Sequence, residues 1–100
     1  MKTSELSGAA LDWAVTHANY EINGAYIWDS ENCNYSTDWS LGGEIIERER
    51  IELRGDGDGG WIACDNLNLE QTGETALIAA MRCYVASTLG DEVEVPEELI

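Results

Sequence analysis

Glu44-Ile45-Ile46-Glu47-Arg48-Glu49-Arg50-Ile51-Glu52-Leu53-Arg54 is the stretch on which the fold turns. Read with period two, it places Ile45, Glu47, Glu49, Ile51 and Leu53 on one side and Ile46, Arg48, Arg50, Glu52 and Arg54 on the other. Glu and Arg also favour a helix, which is the competing local reading over Glu44 to Leu53. Ile45, Ile46, Ile51 and Leu53 make no clean helical stripe, however, so the pattern predicts a strand over 44–54. A strand would gather three of the chain's five basic residues on one face. That face is either anion-binding or pairs across the sheet with carboxylates, at about 0–1 kcal/mol per exposed pair.

Downstream, Gly55-Asp56-Gly57-Asp58-Gly59-Gly60 is a turn that returns the chain antiparallel through Trp61-Ile62-Ala63-Cys64, over about 60–64. Its two aspartates resemble the opening of a calcium loop. The next ligand position is Gly60, however, and Leu67 stands where a bidentate Glu is needed, so an EF-hand is rejected. Asp65 to Glu74 is a polar connection with room for a short edge strand. Upstream, Tyr35-Ser36-Thr37-Asp38-Trp39-Ser40-Leu41-Gly42-Gly43 crowds hydroxyls, a carboxylate, an indole and paired glycines into a shaped loop. Ser36 is a candidate cap for one helical turn over Thr37 to Leu41, which Gly42-Gly43 would end. Asn23-Gly24 marks a turn before a short strand at about 25–28, Ala25-Tyr26-Ile27-Trp28.

Two helices complete the pattern. Ser7 opens the first, over about 8–19, where Leu11, Ala14, Val15 and Ala18 form a narrow apolar stripe and Leu6 with Leu11 can close a hydrophobic staple. Trp13, His17 and Tyr20 lie off that stripe, and His17, the single histidine, reads as partly exposed and structural. Thr75 caps the second, over about 76–89, and Gly90 ends it. Leu77, Ile78, Met81, Val85 and Leu89 form its apolar face, with Arg82 and Tyr84 at the edges of that face. The expected fold is α+β: a small antiparallel sheet, made of the hairpin 44–54/60–64 and the strand 25–28, packed by two helices. One domain spans 1–100, its segment 91–100 an acidic tail or an edge strand before Pro96.

Twenty acidic and five basic residues give a formal charge of −15. Such a chain repels phosphates and anionic lipid, so direct nucleic-acid binding and membrane binding are not expected. Cys33, Cys64 and Cys83 are odd in number and widely spaced, which suggests neither a disulfide framework nor a zinc site. No segment approaches the about eighteen apolar residues of a membrane span. A soluble, intracellular protein without metal or cofactor is expected.

Three blocks carry a resemblance: Ser-Glu-Leu-Ser-Gly-Ala-Ala-Leu-Asp-Trp-Ala-Val at 4–15, Tyr-Ser-Thr-Asp-Trp-Ser-Leu-Gly-Gly-Glu-Ile-Ile-Glu-Arg-Glu at 35–49, and Leu-Ile-Ala-Ala-Met-Arg-Cys-Tyr-Val-Ala-Ser-Thr-Leu-Gly-Asp-Glu-Val-Glu-Val-Pro at 77–96. Together and in this order they resemble the NinX-like small proteins of tailed bacteriophages and prophages. The resemblance covers nearly the whole chain and implies a phage protein acting in the host bacterial cytoplasm; it implies no activity. Glu44 and Ala76 stand where the family pattern suggests prolines.

Two functions compete. A non-enzymatic module could bind a small anionic, nucleotide-like molecule and sequester a host signal. In that reading Arg48 and Arg82 meet the anion, Trp39 or Tyr35 stacks on a ring, and Ser36, Asp38 and the backbone at Gly42 and Gly43 supply polar contacts. Alternatively, an acidic inhibitor or adaptor could engage a basic host protein and imitate nucleic acid, as the charge and the segment Asp91 to Glu98 suggest. Catalysis is not expected, because there is no GxSxG, P-loop, HExxH or metal-ligand cluster. The chain is expected to be a monomer or a homodimer, the latter through the Trp13 and Tyr20 side of the first helix.

Overall fold

The computed structural model describes residues 1–24, 28 and 32–100. In chain order the elements are a 3-10 turn at Thr3–Glu5, α1 at Gly8–Asn23, α2 at Trp39–Glu49, β1 at Glu52–Gly55, β2 at Trp61–Cys64, β3 at Glu70–Gly73, α3 at Ala76–Leu89 and a closing 3-10 turn at Glu97–Leu99. The fold is α+β: among the described residues, three helices lie against a three-stranded antiparallel sheet of order β1-β2-β3.

Helix α3 is the centre. Ten of its fourteen residues are buried, which leaves no solvent face along its middle. The sequence suggests one apolar stripe, but Ala79, Ala80, Cys83 and Tyr84 are as buried as Met81 and Val85, because α1, α2 and the sheet all pack around the helix. Arg82 and Tyr84 are likewise buried rather than at a solvent edge. A helix that is enclosed on every side carries small and apolar residues all round, and this one does. Thr75 caps it as expected, its hydroxyl accepting from Ile78 N at 3.1 Å, and Gly90 takes a left-handed φ of 93° at its end. In α1, Leu11, Ala14, Val15 and Ala18 are wholly buried, so the small-residue stripe is the packing face. Ser7 sits at its N-cap position without a side-chain cap bond, and the helix runs four residues beyond the expected Asn19.

The principal correction falls on 44–54. Glu44 to Glu49 are helical, and only Glu52–Gly55 form the strand that pairs with Trp61–Cys64, in the register Glu52↔Cys64 to Gly55↔Trp61. Asp38, not Ser36, caps α2: its carboxylate accepts from Ser40 N at 2.9 Å and from Ser40 Oγ at 2.6 Å. The helix then passes through Gly42 and Gly43 instead of ending there. A Cβ on Gly42 would lie 2.5 Å from Leu77 Cδ2 and 2.6 Å from the Tyr35 carbonyl oxygen, so glycine is there to let α2 approach α3. Arg50, at φ 55°, terminates the helix, a left-handed position that non-glycine residues seldom take. Consequently Arg48, Arg50 and Arg54 do not share a strand face: they lie on a helix, a cap and a strand in turn.

The connection 65–74 provides β3, paired with β2 from Trp61↔Gly73 to Cys64↔Glu70. The segment after Gly90 docks on the N-terminus: Thr3 N donates to Asp91 O, Val93 N donates to Met1 O, and Lys2 bridges Glu92. It is therefore held as a single bridge rather than an extended edge strand. The strand expected at 25–28 lies outside the described residues except Trp28, which has no regular structure.

Candidate functional site

The loop before α2 is fastened by a buried polar clasp. Ser36 N donates to Asp12 Oδ1 at 2.8 Å, with both residues buried. Burial pushes the Asp12 carboxyl above its usual range, while the bonds from Ser36 work in the opposite direction. Ser36 thereby holds the loop to α1 and is not presented to solvent. Asp38, by contrast, is exposed, and its bonds from Ser40 hold its carboxyl below the usual range.

Behind the clasp lies a cluster drawn from α1, the loop, α2 and α3. Tyr84 donates its hydroxyl proton to Asn19 Oδ1 at 2.7 Å, and Asn19 Nδ2 donates to the Tyr35 hydroxyl at 3.2 Å. Arg48 Nη2 donates to the Tyr84 hydroxyl at 3.0 Å, its guanidinium carbon stands 5.5 Å from the Tyr84 ring centroid, and Nε binds Glu49 at 2.8 Å. Burial raises both phenols above their usual pKa. For Arg48, burial works against the charge, but the bond to Glu49 and the neighbouring Tyr84 outweigh it and the guanidinium stays firmly protonated.

Arg82 does not join this cluster. It lies two residues from Tyr84, about 200° around the helix, and so faces the other way. Its Nε donates to Leu6 O and its Nη1 to Thr72 O, each at 2.8 Å, tying α3 to the N-terminus and to β3. Burial lowers its pKa, and the group acts as an internal strut. The structure thus brings Tyr35 and Arg48 together, sets Ser36 and Gly42 in packing roles, and leaves Arg82 on the opposite side of α3.

Trp39 is 57% exposed. With Trp61, 37% exposed, it lines a shallow groove of about 420 Å³ floored by Leu77 and Ile78 at the start of α3. Trp61, Asn19 and Tyr84 belong to these surroundings although sequence reasoning passed over them. For Trp61 the signal was the flanking Gly59-Gly60 and the glycines at the ends of both neighbouring strands. Asn19 and Tyr84 gave no signal beyond being polar residues on largely apolar helices.

Among the described residues, no group of three or more His, Cys, Asp or Glu side chains is placed to hold a metal ion. Among the same residues no helix is long and apolar enough to cross a membrane. No curated protein matches the chain. The family model described as "Bacteriophage P22, NinX" matches residues 2–88 of the 100, and the chain belongs to this family of bacteriophage proteins.

Proposed function

We propose that this phage accessory protein is non-enzymatic and acts in the host bacterial cytoplasm by binding a basic host protein through its acidic surface. The observation that carries this reading is how the fold disposes of charge. Of twenty acidic residues, Asp29 and Glu31 lie outside the described set, Asp12 is buried, Glu49 and Asp65 are half-buried, and the other fifteen are exposed. Of the five cations, Arg82 is buried on backbone carbonyls, while Arg48 and Arg54 are exposed but paired with Glu49 and Glu70, and Lys2 and Arg50 are exposed as well. The outer surface therefore keeps a large acidic excess, fifteen exposed carboxylates against four exposed cations, two of which are already paired. Such a surface steers a basic partner and can occupy a face that otherwise reads phosphates.

A small anionic ligand has weaker support. Arg48 and Arg82 lie on opposite sides of α3, so an anion would meet Arg48 alone, already bonded to Glu49 and Tyr84. Affinity capture of basic host proteins on the immobilised chain, followed through a salt series from about 0.05 to about 0.5 M, tests the proposal. Capture that falls steeply across the series is expected. Partners that persist unchanged at the upper end, or tight nucleotide binding by calorimetry, would overturn it.

A further inference from the structure

We infer that the groove between Trp39 and Trp61 is the anchoring point for the basic partner, and that it takes a peptide segment bearing one aliphatic or aromatic side chain flanked by Lys or Arg. This inference rests on the protein-binding function proposed above and gives that surface a centre.

Each indole has glycines at two of its neighbouring positions. On α2 the neighbours of Trp39 at i+3 and i+4 are Gly42 and Gly43. In the sheet the residues directly opposite Trp61 are Gly55 on β1 and Gly73 on β3. No side chain therefore stands at the positions that normally cover an aromatic ring on a helix or a strand. Two of these glycines are enforced by packing. A Cβ at Gly42 would meet Leu77 Cδ2 at 2.5 Å, and one at Gly73 would meet Ala79 N at 2.6 Å. One neighbouring position of each ring is thus closed to a side chain by the way α2 and β3 lie against α3, whereas Gly43 and Gly55 leave room for one.

Two half-exposed tryptophans over Leu77 and Ile78 form a patch of the kind that dominates protein interfaces, where Trp anchors carry much of the energy. The surroundings select the partner by charge. A second depression of about 390 Å³ is lined by the chain neighbours of groove residues, Gly60 before Trp61 and Glu74 before Thr75, and its lining includes the carboxylates Asp56, Asp58 and Glu74. The one cation lining that depression is Arg82, whose guanidinium already donates to Leu6 O and Thr72 O. The exposed Asp38 precedes Trp39 in the chain. An apolar anchor with a cationic neighbour matches both depressions, whereas a second copy of a chain of charge −15 brings repulsion instead.

The test uses the full chain and three synthetic peptides of equal length. One places a central Leu between Lys and Arg residues, one replaces that Leu by Ser, and one keeps the Leu but flanks it with Glu. Protein tryptophan emission reports binding, since none of the peptides contains Trp. At low salt the basic Leu peptide is expected to perturb the emission and to bind about tenfold more tightly than the Ser peptide, with no response to the acidic peptide. Trp39→Ala and Trp61→Thr, each checked by an unchanged circular dichroism spectrum, should abolish the Leu preference. Equal affinity for the Leu and Ser peptides, unaltered by either substitution, would overturn the groove while leaving an acidic binding surface. Absence of binding by both basic peptides would remove that surface reading as well. Preference for the acidic peptide, saturable quenching by adenosine monophosphate that is lost in Trp39→Ala, or dimer formation in sedimentation that Trp61→Thr abolishes would each assign the groove to a different occupant.

Discussion

Gly42→Ala and Gly43→Ala differ by one position and one methyl group, yet the helical course of α2 gives them opposite signs. At Gly42 the new carbon would stand 2.5 Å from Leu77 Cδ2 and 2.6 Å from the Tyr35 carbonyl oxygen. The Leu77 methyl can rotate away. The carbonyl cannot, because its loop is fastened one residue later by the bond from Ser36 N to Asp12. Either the loop or the helix must shift, an overpacking cost of about 1–3 kcal/mol. Replacing glycine inside a helix returns about 0.5–1 kcal/mol, so Gly42→Ala should lose about 0–2.5 kcal/mol net, centred on about 1 kcal/mol. At Gly43 the nearest atom is Trp39 Cε3 at 3.8 Å, an ordinary contact, and only the helical gain remains. Thermal unfolding followed at 222 nm (an α-helical signal) should separate the pair, since about 1 kcal/mol moves the midpoint by roughly 4–8 °C in a domain of this size. Gly42→Ala should melt below the parent and Gly43→Ala at or above it. Equal destabilisation of both, the behaviour of glycines that end a helical turn in a left-handed conformation, would refute the continuous helix.

Arg82→Met removes both bonds to the Leu6 and Thr72 carbonyls and should cost about 2–4 kcal/mol in urea unfolding, whereas the more exposed Arg48→Met should cost under about 1 kcal/mol. Similar losses for the two would contradict the division into strut and surface group. Asp12 has a raised pKa through burial, so above 3.8 the folded state holds a proton that the unfolded state has released, and stability falls as pH rises towards the folded pKa. The stability of Asp12→Asn relative to the parent should therefore grow with pH across that window and then level off; a difference that shrinks would mean that the Ser36 bonds outweigh desolvation. Cys83, wholly buried with its thiol pushed up to about 12, should resist alkylation by iodoacetamide at pH 8 until the chain is unfolded, as mass spectrometry of the modified peptide would report.

The residues legible in the sequence are those whose structure is set locally. Thr75 and Gly90 bracket α3 because a cap and a left-handed stop act within one turn. The glycine-rich link from 55 to 60 announces its hairpin for the same reason. What stayed hidden was set by tertiary contact. Gly42-Gly43 reads as a helix end because glycine is common there, but Gly42 is demanded by Leu77, a residue thirty-five positions away. The apparent alternation of 44–54 joins the last turn of a helix to a strand through Arg50, whose positive φ no residue type announces. With that join, the supposed basic face dissolves, and the candidate site changes character. Tyr35 and Arg48 do meet, through Asn19 and Tyr84, which were not anticipated. Arg82 could not be separated from them until the direction it faces on α3 was known. Trp39 stands out in the composition of its loop, whereas Trp61, which lines the same groove, depends on strand register, which places it beside β3 and the start of α3.

Side-chain nuclear magnetic resonance of the four tryptophan indole N–H groups during titration with the basic Leu-centred peptide tests the central claim most directly. Trp39 and Trp61 should shift, Trp13 and Trp28 should stay in place, and the response should collapse at about 0.5 M salt. Shifts confined to the tyrosines and the guanidinium of the Arg48 cluster on adding a nucleotide, with the two groove indoles silent towards the peptide, would contradict it.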